Sequence, residues 1–193
     1  IDPLSSNTSA QPLVDTDYEV AVTNANGCTD TDTVSIVVYE LPNADAGINT
    51  TICEGNNIIL EASGADVYLW NNDPTLSQLN INNPTASPVN NTTYFVTITN
   101  SFTGCSANDS VLITIIQPNN NGLQIDACEG DIITLDANNP GATYMWNTGE
   151  TTQQINANLT GYYIVEVSNP DDGCSIFDTI YVNIESCPLI FYK

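Results

Sequence analysis

One phrase is written twice in this chain: ICEGNNIIL at 52–60 returns as ACEGDIITL at 127–135. Self-similarity constrains the fold before any motif is read, because each copy must be one structural unit that tolerates a neighbour like itself. After each copy comes an aromatic segment, VYLWN at 67–71 and TYMWN at 143–147. A third block is present three times: DYEVAVTNANGCTDTDTVSIVV at 17–38, TYFVTITNSFTGCSANDSVLITI at 93–115 and YYIVEVSNPDDGCSIFDTIYVNI at 162–184. The step from Cys28 to Cys105 is longer than that from Cys105 to Cys174, because NNPTASPVNNTT shrinks to NANLTG, and such length changes fall in loops.

The third block alternates with a period of two. Tyr94, Val96 and Ile98 point one way and Phe95, Thr97 and Thr99 the other, and Val111, Ile113 and Ile115 alternate likewise after a turn, which predicts a hairpin of β-strands. Helical periodicity is absent, and Pro, Gly and Asn clusters punctuate the chain at the spacing of a sandwich. The best template is all-β: tandem immunoglobulin-like β-sandwich repeats of about seven strands each. Gly55, Ile58, Leu60 and Ala62, then Gly130, Ile133, Leu135 and Ala137, match its second strand. Trp70 and Trp146 take the place of its core tryptophan, and Tyr18, Tyr94 and Tyr163 that of its sixth-strand tyrosine. Its usual inter-sheet disulfide is replaced by Ala62 opposite Val96 and Ala137 opposite Val165.

Residues 42–118 and 119–186 read as complete repeats. Residues 1–41 hold only the end of one, since no CEG strand and no tryptophan strand precede Tyr18. Half a sandwich leaves an apolar face and open edges uncovered, so the chain is expected to be a segment of a longer protein, with 187–193 starting a following domain.

Composition removes whole classes of function. The formal charge is -22, histidine is absent, and the single basic residue is Lys193. Without histidine there is no imidazole nucleophile pair or imidazole metal site. Without Lys and Arg, nucleic acid and anionic lipid are poor partners, and divalent cations or a sugar surface fit better. No run of about 18 apolar residues and no charged-then-apolar leader is present, so these residues are expected to be soluble, with no membrane span or signal peptide among them.

Six cysteines at repeated positions, with no histidine and no C-x-x-C spacing, favour disulfides over zinc and an oxidising compartment. In the immunoglobulin register Cys53 and Cys128 lie just before the second strand, at the C-terminal end of their repeats. Cys28, Cys105 and Cys174 lie in the turn between the sixth and seventh strands, at the other end. Those ends are ~20 Å apart, whereas bridged Cα atoms lie within ~7 Å. Pairing within repeats, Cys53 with Cys105 and Cys128 with Cys174, is then difficult, though connectivity is not fixed by sequence. A head-to-tail string favours Cys53 with Cys174 and Cys128 with Cys187, leaving Cys28 and Cys105 to partners outside the segment.

The ordered set C-E-G-x-x-I-x-L, Y-x-W-N-x-G (Tyr144 to Gly149), Y-x-V-x-V and G-C-x-x-x-D-[ST]-[VI] resembles the immunoglobulin-like or PKD-like repeats of giant cell-surface adhesins in Bacteroidota, over nearly the whole chain. The first repeat departs from it at WNNDPTLS, which lacks the Trp-x-x-Gly turn. The resemblance implies a stalk of a gliding-motility adhesin or other type IX secretion cargo at the bacterial cell surface. It also implies that ESCPLIFYK leads to a sorting domain handled by an outer-membrane carrier barrel, although the Pro-Asn-Gly-Asp-Gly turn of such domains is not in the chain. Under it, the recurring Asp-Thr/Ser-aliphatic tripeptide makes Thr33, Ser110 and Thr179 candidates for O-glycosylation; the plainer reading is a polar start to the last strand.

No catalytic residue and no cofactor is expected, calcium apart. Asp30 with Asp32 and Asp171 with Asp172 are carboxylate pairs of the kind calcium takes, with Asp45 a weaker candidate, against the plainer reading of solvated charge. Trp70 and Trp146 as sugar-stacking platforms compete with core packing. Two functions stand side by side: a non-enzymatic spacer of a secreted adhesin, its glycan or protein ligand unnamed, and accessory or glycan-binding modules of a secreted hydrolase. For the latter, Glu150 and Asp136 are the nominal carboxylates.

Overall fold

Alternating side chains dictate the long strands. The computed structural model describes residues 7–120, 122–171 and 173–187. In it β1 (Thr16–Thr23) and β2 (Thr29–Ile36) make an antiparallel hairpin. The first full repeat contains β3 (Thr50–Cys53), β4 (Ile58–Ile59), β5 (Val67–Trp70), β6 (Thr85–Ala86), β7 (Thr92–Thr99) and β8 (Ser106–Ile116). The second contains β9 (Leu123–Cys128), β10 (Ile133–Asp136), β11 (Thr143–Trp146), β12 (Gln154–Ala157), β13 (Gly161–Ser168) and β14 (Ser175–Glu185).

Each full repeat sets a four-stranded sheet against a two-stranded one. The orders are β3-β8-β7-β5 with β4-β6, and β9-β14-β13-β11 with β10-β12. The first strand joins the last in parallel in both, and all other pairs are antiparallel. This is an immunoglobulin-like sandwich, twice. It has six strands per repeat among the described residues rather than about seven. After Trp146 the Trp-x-x-Gly turn leaves only seven residues (147–153) before β12, too few for another strand and its turns. The longer excursion in the first repeat is spent on turns and one isolated bridge, Leu76 with Ala86.

Each repeat has its own core. Trp70, Tyr94, Val96, Ile98, Val111 and Ile113 from one sheet meet Leu60, Ala62 and Ala86 from the other. Trp146, Tyr163, Val165, Val167, Ile180 and Val182 meet Leu135, Ala137, Ile155 and Ala157. Each buried indole N–H must find an acceptor. Trp70 Nε1 donates to Ile81 O at 2.8 Å and Trp146 Nε1 to Thr152 O at 2.9 Å, so the tryptophan pins the chain after its own strand back onto the core.

The hairpin β1–β2 corrects one expectation. Tyr18 is only half-buried and belongs to neither core. Val20 and Val34 are 56% and 59% exposed, where their counterparts Val96 and Val111 are 1% and 2% exposed. The residues are those of a core face, but among the described residues no second sheet covers it.

Candidate functional site

Chemistry other than packing gathers where the repeats meet. β3 runs parallel to β8, so its last residue, Cys53, lies opposite Ile116 at the C-terminal end of the first repeat. Cys174 sits in the turn between β13 and β14, at the near end of the second. Cys53 is bonded to Cys174 with Cα atoms 6.1 Å apart. Cys53 and Ile116 are buried within the second repeat's core, so the junction is apolar as well as covalent.

Amides complete the junction. Asn169, 1% exposed, donates from Nδ2 to Thr51 O at 2.8 Å. Asn139 receives Gln117 N on Oδ1 at 3.2 Å and returns Nδ2 to Gln117 O at 3.0 Å, copying a strand pairing with one side chain. Asn138 and Asn139 hold positive φ (53° and 52°), a conformation asparagine tolerates better than most residues. A cleft of about 460 Å³ lies beside this joint, lined by Asn90, Asn91, Thr114, Gln117, Pro140 and Asp171 among others. Its lining is amide, hydroxyl and aliphatic with one carboxylate, Asp171, and no aromatic platform. Asn138, Asn139 and Asn169 carry no motif of their own in the sequence; the NNP run at 138–140 is the only signal for the first two.

At the far end, β9 runs parallel to β14, which brings Cys128 opposite Glu185. Cys128 is bonded to Cys187, Cα atoms 5.4 Å apart. Cys28 and Cys105 occupy the turns equivalent to that of Cys174, and both are free thiols, Cys28 exposed and Cys105 half-buried.

In the two full repeats the aspartate of the Asp-Thr/Ser-aliphatic tripeptide faces inward. Asp178 is 1% exposed, and its carboxylate accepts the amides of Asn119 (3.2 Å), Asn120 (2.8 Å) and Thr179 (2.8 Å). Asp109 accepts the Ala46 amide at 2.8 Å. Each clasps the segment that leads into its own repeat onto the last strand. Asp32 accepts the amide of Thr33 at 2.8 Å, its own neighbour. The following hydroxyls face out: Thr33 and Ser110 are exposed and Thr179 is half-buried.

The other candidates stay apart. Asp30 and Asp32 are exposed on β2, each accepting the amide of the next threonine. Asp171 is exposed, Asp45 accepts the Gly47 amide at 2.9 Å, and Asp172 lies outside the described residues, as do residues 188–193 of the closing segment. Among the described residues no three Cys, Asp or Glu side chains gather as a metal site. Trp70 and Trp146, 1% and 2% exposed, present no face to a sugar.

Asp136 is not poised as an acid. Both its oxygens are taken, by Gln153 Nε2 at 2.9 Å and Gln154 Nε2 at 2.7 Å, and the Asn138 amide adds a third bond at 2.7 Å. These bonds, Gln154 foremost, hold its carboxyl below the ordinary aspartate value. A glycosidase acid needs the opposite shift. Glu150 lies on a shallow surface with Thr134, Thr152 and Gln154. Elsewhere Ser101 lowers Asp66, and Gln124 with Asn183 lowers Asp126, by hydrogen bonding to the ionised form.

No protein-family model matches the chain, and no curated protein sequence does. Among solved structures it is similar to the titin Ig tandem domains A164-A165, at 14% identity over 77% of this chain and 98% of that one, with a TM-score of 0.41. It is also similar to extracellular domains 3-5 of Drosophila OTK (10% identity, 88% and 71% coverage, TM-score 0.36). A third is the N-terminal four Ig domains of Dscam1 isoform 4.44 (13%, 88% and 54%, TM-score 0.38). The fold assignment rests on the strand order and the paired cores above.

Proposed function

We propose that the chain is a non-enzymatic spacer of a longer, secreted cell-surface protein, whose repeats set reach and stiffness. The supporting observation is the junction: a disulfide, a shared apolar patch and paired amides join two copies of one unit, while the carboxylates are scattered or already hydrogen-bonded. Such spending of polar groups on the joint is what a rigid array needs and what a catalytic cleft does not. Disulfides belong to oxidising surroundings, which agrees with export.

The finer reading is a stalk segment of a large bacterial adhesin, for gliding motility or surface attachment, exported by a type IX system at the outer surface. It rests on the motif resemblance. Its partners are then the rest of the longer chain, an outer-membrane carrier barrel through a following domain, and a surface glycan or protein bound elsewhere on the molecule. Calcium at the exposed acidic pairs remains part of this proposal, as screening for a chain of charge -22. So does O-glycosylation at Thr33, Ser110 and Thr179.

The test is replacement. In cells that make the full protein, residues 42–186 are exchanged for two unrelated β-sandwich repeats of equal length. A spacer predicts unchanged attachment, and deletion without replacement predicts loss of reach. Loss of attachment after equal-length replacement would show that these repeats bind the target themselves.

A further inference from the structure

The two disulfides lie at particular points on the path that tension takes through the array. β3 runs toward the junction and ends at Cys53. Cys174 immediately precedes β14, which runs away from the junction for its eleven residues and stops at Glu185, two short of Cys187. The shortest covalent route through both repeats is therefore β3, the Cys53–Cys174 bond, then β14. Both segments are already extended strands, at ~3.3 Å per residue, with little slack to give. Residues 54–173, which include both tryptophans and the two-stranded sheets, hang beside that route.

From this we infer that the Cys53–Cys174 bond makes β3 and β14 one covalent tension member, carrying axial load past both hydrophobic cores so that neither unfolds under pull. The inference rests on the spacer reading for its biological sense and on the strand directions for its physics. Without either bond, tension must pass residue by residue through every strand, and each sandwich would open to give up length. The Cys128–Cys187 bond cannot substitute. It closes residues 129–186 into a side loop, which shields the last repeat, but the route then runs through the whole first repeat before reaching Cys128. With both bonds closed, it lies off the shortest route and carries no load.

The array thereby gains a hierarchy that sequence separation makes measurable. The bonded residues are 121 apart for Cys53–Cys174 and 59 apart for Cys128–Cys187. With both bonds open, the first separation is returned as extensible chain, about 400 Å at ~3.3–3.6 Å per residue. With only Cys53–Cys174 open, the surviving bond keeps back the last repeat, and the gain is about half of that.

The experiment is single-molecule pulling on the full chain, held by both ends, oxidised and then with a phosphine reductant that converts each bond to two thiols. The oxidised chain is expected to release length only from the hairpin and the flanks. The reduced chain is expected to add about 400 Å. Cys53→Ser is expected to add about half, and Cys128→Ser nothing beyond the oxidised chain. Emission from the buried tryptophans before pulling confirms that each variant is folded, and chemical reduction of the unaltered chain serves if one is not. Release of about 400 Å from the oxidised chain, or a Cys128→Ser chain that lengthens like Cys53→Ser, overturns the inference. A chain that passes this test but fails equal-length replacement in cells would keep its tension member and lose the spacer assignment; the reverse outcome would do the opposite.

Discussion

The carboxylate of Asp178, 1% exposed, accepts the backbone amide of Asn120 at 2.8 Å, holding the entry of the last repeat against its final strand. Among the described residues there is no basic side chain to pair with it; three backbone amides satisfy it instead. Asp109 makes the same connection with one long-range amide, that of Ala46. Removing such an acceptor strands buried donors at about 1–3 kcal/mol each, less where water can reach them. Asp178→Ala is therefore expected to cost about 3 kcal/mol, Asp109→Ala about 1 kcal/mol, and the exposed Asp32→Ala under about 0.5 kcal/mol. Urea unfolding of the three variants checks the ranking. Equal losses for all three would show the carboxylates to be ordinary strand residues.

How far these features were legible follows from where their causes lie. The strands around Tyr94 and Tyr163 could be read because alternation is local, and the tryptophans because they recur at one place in the repeat. Strand direction and the length of a sandwich favoured the interdomain sulfur pairing without fixing it, since connectivity depends on how the repeats dock. Asp178 was read only as a polar start to a strand, because its partners are amides 58 and 59 residues away and carry no side-chain signature. β4 was legible through Ile58, Leu60 and Ala62, but its partner β6 is two residues, too short for alternation to register. Tyr18 has the sequence of a core residue, but among the described residues no second sheet covers it. Asn139 takes its role from a neighbouring repeat, which no pattern inside one repeat encodes.

Each full repeat holds one tryptophan, so each substitution leaves a reporter of the other. Trp70→Phe strands the Ile81 carbonyl and shrinks a fully packed ring, at an expected cost of about 1–3 kcal/mol to the first repeat. With the disulfides reduced to uncouple the repeats, the emission of Trp146 is expected to unfold at its original midpoint, while circular dichroism gains an earlier phase. A shift of both together would mean that the apolar junction alone makes the pair one cooperative unit.

Exposure ranks the candidate modification sites. Thr33 and Ser110 present their hydroxyls to solvent, and Thr179 is half-buried beside the clasping Asp178. Protein isolated from its own cells is expected to carry added mass at Thr33 and Ser110 at higher occupancy than at Thr179. Site mapping by mass spectrometry reads this directly, and an unmodified chain would leave the tripeptide with its structural role alone.

Stability should have an acid limb and an alkaline limb, each assignable to named groups. Hydrogen bonds from Gln154 and Gln153 hold Asp136 below its ordinary value, so its contribution is present above about pH 4 and is lost as pH falls through the depressed value. Tyr94 moves the other way. Burial raises its phenol, partly offset by the 2.6 Å hydrogen bond with Thr75, so the folded state holds the proton longer than the unfolded one and loses stability as pH rises past about 10. Self-repulsion at a formal charge of -22 acts against the acid limb, because protonation relieves it. In about 1 M salt, where the screening length is ~3 Å, that repulsion is suppressed and the two limbs should stand out around a plateau from about pH 5 to 9. Asp136→Asn is expected to shrink the acid limb and Tyr94→Phe the alkaline one, each without moving the other. Thermal midpoints of the three proteins across pH check this, and an acid limb untouched by Asp136→Asn would move its origin to Asp66 and Asp126, whose carboxyls are also lowered.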